Sequence, residues 1–140
     1  TEAFWMGEKH CLKDVISGTD ADTQIRCNQI WAVSMPFTML DGEKERAVVD
    51  TVFEKLYTPY GLRTLEQEDD QFCPEYGGEV LKRDLAYHQG TVWAYPLGAY
   101  YLAYLSQRGQ RRSKGRDRSA DGSAGERTEG RMYRTAPGDL

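Results

Sequence analysis

The clearest periodic pattern along the chain lies in residues 41–57. Apolar residues recur there at helical spacing on one face, at Val48, Val49, Val52, Phe53 and Leu56. Charged residues occupy much of the opposite face. Asp41 stands where an N-cap is expected, and Glu43 suits the positive first turn of a helix. The pattern predicts an amphipathic helix that begins after Asp41 and ends before the turn at residues 58–61.

Two other segments, residues 26–40 and 91–105, carry apolar residues in nearly every direction of a helical wheel. A helix that is apolar all round is usually buried on all sides. We therefore predict two buried helices. Pro36 is expected to end or kink the first of them, and Pro96 and Gly98 are expected to strain the second.

The remaining segments are rich in turn residues. Residues 4–25 are typical of a short extended region followed by an Asp/Gly/Thr loop. Residues 58–90 form a connection that is long for a compact domain, and their aromatic residues favour an ordered, functional loop over a linker.

The order is thus a buried helix, an amphipathic helix, a long loop and a second buried helix, which predicts an all-α fold. In a double ring of helices, the inner ones are covered on all sides and the outer ones on one side. The segments "RCNQ" and "DLAYHQGTVW", which precede the two buried helices, would then face one shared cavity.

Charge and composition separate residues 1–105 from residues 106–140. The chain carries a net charge of −4, which divides into −8 for residues 1–105 and +4 for residues 106–140. An acidic body argues against a general nucleic-acid binder. The tail has little to bury and is expected to be disordered. An adventitious tail is favoured over an RNA-binding arm, which stays open as an alternative.

Cys11, Cys27 and Cys73 are widely spaced and form no CxxC pair. This spacing favours reduced thiols in a cytoplasmic protein and gives poor support to a metal site. The first residues lack the pattern of a signal peptide, and no run of ~20 apolar residues predicts a membrane span. The chain begins without Met and in the middle of a sequence pattern, which suggests that it is a fragment.

Two clusters combine planar polar side chains with aromatic rings, the residue types that grip the hydroxyls and the C–H faces of a sugar. The first holds Arg26, Asn28, Gln29 and Trp31, and the second holds Asp84, Tyr87, His88, Gln89 and Trp93. Each residue also has a structural interpretation. His88 could be a satisfied structural histidine, the tryptophans could belong to the core, and the amides could cap a helix. Acids are plentiful, but their spacing selects no catalytic pair.

Three blocks carry a family resemblance: "IRCNQIWAVSMPF", "LYTPYGLRTL" and "RDLAYHQGTVWAYPLGAYYLAYL". In this order they resemble the C-terminal glucosidase domain of bacterial and archaeal glycogen debranching enzymes, the amylo-α-1,6-glucosidase family. The resemblance covers about Phe4 to Leu105. Cys27 stands where the family usually has Pro.

The resemblance implies a partial (α/α)6 barrel of about three helices, with the rest of the parent barrel needed for stability. It also implies hydrolysis of α-1,6-linked glucose stubs of glycogen by an inverting acid/base mechanism, without a cofactor, a metal or nucleic acid. Family members carry a general acid in a Trp-Met-Asp-type motif well upstream of the matched segment; the similar "FWMG" of this chain has Gly7 instead of Asp and aligns elsewhere. Their general base lies in a segment that the tail replaces. The chain alone is therefore expected to be inactive, and the tail to be non-native, for example through a frameshift. The residues that match the substrate cleft are Arg26, Asn28, Gln29, Asp84, Tyr87, His88, Gln89 and Trp93.

Overall fold

The computed structural model describes residues 2–37 and 39–121, with side chains through residue 109. The chain divides into a unit that ends at Gly109 and a second that begins at Gln110. The helices are α1 (Trp31–Ser34), α2 (Gly42–Leu56), α3 (Val80–Ala86) and α4 (Pro96–Asp121). The strands are β1 (Trp5–Met6), β2 (Cys11–Leu12), β3 (Val15–Ser17), β4 (Asp20–Asp22), β5 (Tyr57–Thr58), β6 (Gly61–Arg63) and β7 (Val92–Trp93).

The fold is mixed α/β, so the prediction of an all-α, partial (α/α)6 barrel was wrong. The strands form three antiparallel sheets, β1–β2, β3–β4 and β5–β6–β7. In the first, Trp5 pairs with Leu12, and in the third Leu62 pairs with both Tyr57 and Trp93. Strands of two or three residues are too short to show an alternating pattern. Most lie in segments that had been interpreted as extended or loop, whereas β7 lies in the predicted second buried helix.

The predicted buried helix over residues 26–40 is mostly absent. A 3-10 turn (Cys27–Ile30) leads into the single turn of α1. Met35 is extended, with φ −72° and ψ 151°, because the ring of Pro36 disfavours helical geometry at the residue before it. Phe37 is consequently 91% exposed, so a segment apolar on every face is not buried on every face.

The second predicted buried helix begins later than expected. Val92 and Trp93 form β7, and α4 starts at Pro96. Proline is well suited to the first position of a helix, where its missing N–H costs nothing, so Pro96 opens the helix instead of straining it. The helix continues to Asp121, past the boundary expected at Leu105. The predicted disorder of residues 122–140 lies outside the described residues.

The amphipathic helix is confirmed as α2. The Asp41 side chain accepts hydrogen bonds from the backbone amides of Glu43 (3.1 Å) and Lys44 (2.9 Å). Within α2, Glu45 is buried, because Gln107 of α4 donates from Nε2 to its Oε2 over 2.6 Å. The buried face of α2 packs on β2, on the 3-10 turn and on α4 in one core, whose members include Cys11, Ile30, Val48, Val52, Leu56, Leu62, Ala99, Tyr100 and Ala103.

Large apolar side chains remain exposed on α3 and α4. Leu81 and Leu85 are 70% and 68% exposed on α3, and Leu102 and Leu105 are each 62% exposed on α4. Within the described part of the chain, no helix is long and apolar enough to cross a membrane.

Candidate functional site

Arg26 joins the two predicted polar clusters. Its backbone is extended immediately before the 3-10 turn, and its side chain is only 12% exposed. The guanidinium donates from Nη1 to the carbonyl oxygen of His88 (2.6 Å) and from Nη2 to Oε1 of Gln89 (3.2 Å). It also donates to Oε1 of Gln24. One side chain thus fixes the turn at residues 88–89 against the segment that follows β4.

Two carboxylates face the same guanidinium. Oδ2 of Asp22 lies 3.5 Å from Nε of Arg26, and Oδ2 of Asp14 lies 4.0 Å from it. The two acids are neighbours across the β3–β4 hairpin, since the amide of Asp14 donates to the carbonyl of Asp22 (3.0 Å). Asn28 donates from Nδ2 to Oδ1 of Asp14 over 2.9 Å. Sequence reasoning missed both acids, because nothing in their spacing distinguished them from the other loop acids.

The turn that presents His88 depends on Gly90. Its φ is 123°, a conformation that side chains rarely adopt, and a Cβ there would lie 2.3 Å from the ring of Phe72. The amide of Gly90 donates to Oγ1 of Thr64 (2.9 Å), which ties the turn to the end of β6. The glycine therefore allows Phe72 to pack closely against the turn.

An aromatic cluster flanks the turn. The ring of Tyr87 lies 4.8 Å from Trp93 and 4.9 Å from His88, centroid to centroid, and Tyr76 lies 5.9 Å from Tyr87. The Trp93 indole donates to the carbonyl of Tyr87 at 3.5 Å. Tyr87 is 39% exposed, so this cluster presents ring surface to solvent. Gly61 permits the placement of Trp93, because a Cβ at residue 61 would lie 2.3 Å from the Trp93 carbonyl oxygen.

A cleft of about 370 Å³ lies at the centre of this arrangement. We call it the Arg26 cleft; its lining consists of Asp14, Asp22, Arg26, Cys27, Asn28, Thr64, His88 and Tyr95. Its volume falls at the lower end of the ~300–1,000 Å³ typical of small-molecule sites. Its polar groups come from β4, the 3-10 turn, the end of β6 and the turn after α3.

This geometry separates the predicted site residues into those that line the cleft and those that do not. Arg26, Asn28 and His88 line the cleft together. Gln89 stands behind it and binds Arg26 and Gln71. Tyr87 and Trp93 belong to the aromatic cluster beside it.

Gln29 and Asp84 lie outside the cleft lining. Gln29 is 6% exposed, and its amide binds backbone at both ends, accepting from Leu12 N (3.3 Å) and donating to Arg26 O (3.0 Å). It therefore connects β2 to the 3-10 turn. Asp84 is exposed on α3.

Two groups in the cleft lining resist ionisation. Burial raises the pKa of the Cys27 thiol to about 11, more than its own backbone hydrogen bond lowers it. Burial is the largest cause that raises the pKa of Tyr95, and the nearby Cys27 and Tyr87 raise it further. Both are neutral at physiological pH, so Tyr95 keeps a phenolic hydrogen that can be donated. Within residues 2–37 and 39–109, no group of three His, Cys, Asp or Glu side chains could hold a metal ion.

Comparison with known families identifies the class of protein, which is a glycosidase domain related to glycogen debranching enzymes. A family model described as Amylo-alpha-1,6-glucosidase matches residues 1–121. The chain belongs to the amylo-alpha-1,6-glucosidase family. The resemblance carried by the three sequence blocks is thereby confirmed, although the barrel that it implied is not what the chain adopts.

Proposed function

We propose that the Arg26 cleft binds the α-1,6-linked glucose stub of glycogen or a branched limit dextrin, in support of an inverting acid/base hydrolysis. The observation that carries this proposal is the convergence of Arg26, Asn28 and His88 on one cleft from segments far apart in the chain. The family match supplies the substrate class.

The chemistry of the cleft suits a neutral polyol. A sugar hydroxyl both donates and accepts a hydrogen bond, so neighbouring hydroxyls need acceptors and donors side by side. Asp14 and Asp22 offer acceptors, and Arg26 and Asn28 offer donors on the same wall. The exposed ring of Tyr87 and the half-buried ring of Trp93, next to the cleft, can cover the C–H face of a pyranose.

We assign the cleft residues to binding and positioning. Asp14 and Asp22 both face Arg26, and Asp14 is also held by Asn28. Such contacts are typical of carboxylates that hold the wall of the cleft in place, and not of a catalytic pair on either side of a scissile bond. In this proposal the 140-residue chain binds the glucan but does not hydrolyse it, and the environment is the cytoplasm.

Calorimetric titration with panose, a trisaccharide that contains one α-1,6 bond, tests this function. His88→Ala should weaken panose binding about tenfold, a change of about 1.4 kcal/mol. The chain contains one other histidine, His10, which is exposed and lies outside the cleft lining. His10→Asn is the matched control, because asparagine tolerates the φ of 54° at that residue. Equal panose affinities in the wild type and His88→Ala would refute the assignment.

A structural module without sugar binding is the second candidate. It is favoured by the exposed leucines of α3 and α4, which form an apolar surface of the kind that packs on another protein surface. That candidate predicts no panose binding by the wild type. It also predicts that Leu102→Ser changes the association state of the chain while His88→Ala does not.

A further inference from the structure

A second cavity of about 320 Å³ adjoins the Arg26 cleft. The two cavities share Asp14 and Asn28 in their linings. The hydrogen bond from Asn28 Nδ2 to Asp14 Oδ1 (2.9 Å) therefore lies at the boundary between them. A ligand that fills both would have to pass this pair.

The second cavity differs from the first in its chemistry. Its wall is largely apolar, formed by Phe4, Leu12, Ala32 and Met39. Phe4 is 41% exposed and Met39 is 79% exposed, so both offer open surface to a ligand, whereas Leu12 is buried. Its polar lining consists of Lys13, Gln29, Asp14 and Asn28, of which Asp14 and Asn28 also line the Arg26 cleft.

The position of Phe4 is fixed by two backbone contacts. Phe4 ends a 3-10 turn (Glu2–Phe4), and its carbonyl accepts a hydrogen bond from Lys13 N (2.9 Å). The Lys13 ammonium donates to the carbonyl of Ala3 (2.8 Å). Lys13, the residue next to Asp14, thus anchors the backbone of Ala3 and Phe4 beside the cavity.

We infer that this cavity, which we call the Phe4 subsite, holds the glucose unit to which the α-1,6-linked stub is attached. The inference rests on the proposed function of the Arg26 cleft. The lining of this one cavity offers an aromatic ring for the apolar face of a pyranose and a carboxylate–amide pair for its hydroxyls. The Asp14–Asn28 pair would contact both sugar units, one from each side.

The two cavities predict different ligand dependences. Glucose is one unit and needs only the Arg26 cleft, whereas isomaltose carries a second unit through an α-1,6 bond. Phe4→Ala should weaken isomaltose binding about tenfold and leave glucose binding unchanged. Phe4→Tyr keeps the ring and should bind both sugars as the wild type does. Phe37→Ala is the matched control, since Phe37 is 91% exposed and lines neither cavity.

Binding of glucose and isomaltose to these variants and to His88→Ala can be measured by ligand-observed NMR, with the folded state checked by circular dichroism. Unchanged isomaltose affinity in Phe4→Ala, with both sugars weakened in His88→Ala, would overturn the Phe4 subsite and keep the proposed function. No binding of either sugar by the wild type would overturn the proposed function. Isomaltose binding that depends on Phe4 but not on His88 would refute the proposed function of the Arg26 cleft and, with it, the assignment of this subsite.

Discussion

Arg26 donates to the carbonyl oxygen of His88 over 2.6 Å, and these residues are 62 positions apart in the chain. This contact brings together two segments that the sequence had marked separately as polar clusters. Because the acceptor is a backbone carbonyl, the contact sets the course of the turn and leaves the imidazole of His88 exposed. The course of this turn, and with it one wall of the cleft, therefore depends on Arg26.

Replacing Arg26 should disturb both stability and binding. Arg26→Ala removes hydrogen bonds to His88 and Gln89 and leaves Asp14 facing Asp22 without a cation between them. We expect a loss of about 2 kcal/mol in the free energy of unfolding. Chemical denaturation measures this loss. Arg83→Ala, on the exposed surface of α3, is the control and should change the unfolding midpoint little; similar midpoints for the two variants would contradict the role of Arg26.

Gly90→Ala should be one of the most damaging small substitutions. The φ of 123° and the 2.3 Å approach to Phe72 leave no space for a methyl group. We therefore expect the free energy of unfolding to fall by about 2 kcal/mol or more. Gly98→Ala makes the same chemical change in α4, where a Cβ meets nothing within 4 Å. The free energy of unfolding of that control should rise by up to about 1 kcal/mol, because alanine has a higher helix propensity than glycine. Thermal melts of both variants decide the matter, and a Gly90→Ala melt equal to the wild type would contradict this geometry.

The N-cap of α2 should give stability a dependence on acid pH. The hydrogen bond from the Lys44 amide, with a further one from Glu43, lowers the pKa of Asp41 below its ordinary value of 3.8. A carboxylate with a lower pKa in the folded state stabilises above its unfolded pKa, and this contribution is lost as pH falls through the folded value. Asp41→Asn keeps the cap at every pH. Melting temperatures from pH 6 to pH 2 should therefore fall more for the wild type than for Asp41→Asn, and parallel curves would refute the assignment.

The cysteines should differ in reactivity. Burial raises the pKa of both Cys11 and Cys27 to about 11, so almost no thiolate is present at pH 8. Cys73 is only half-buried. Iodoacetamide should label Cys73 first under native conditions, and all three thiols in denaturant. Peptide mass spectrometry measures the order, and fast native labelling of Cys27 would show that the cleft wall is open.

Sequence patterns predicted this molecule unevenly, for physical reasons. The periodicity of α2 and its cap at Asp41 were sufficient because a long surface helix records its buried face in the sequence. The break at Pro36 was expected, but residues 26–40 misled because apolar residues on every face do not ensure a long buried helix: a 3-10 turn and one helical turn precede Pro36, and Phe37 after it is exposed. Strands as short as β7 leave no period to detect.

The residues of the candidate site could likewise be predicted only in part. Arg26, Asn28 and His88, which residue type and the family resemblance both marked, line one cleft, and their contact with a sugar stays a prediction. Asp14 and Asp22 were missed because only the β3–β4 hairpin, which pairs Val15 with Asp22, brings them to one guanidinium. Gln29 had the right residue type for a sugar contact, but its amide is used by the backbone of Leu12 and Arg26.

The central claim is that the Arg26 cleft binds a branched glucan, and the side-chain NMR signal of Arg26 tests it most directly. Titration with panose should shift the Nε–H resonance of Arg26 and the imidazole resonances of His88 together, with one dissociation constant, while His10 stays unchanged. Resonances of Arg26 and His88 that do not move at saturating panose would contradict the account.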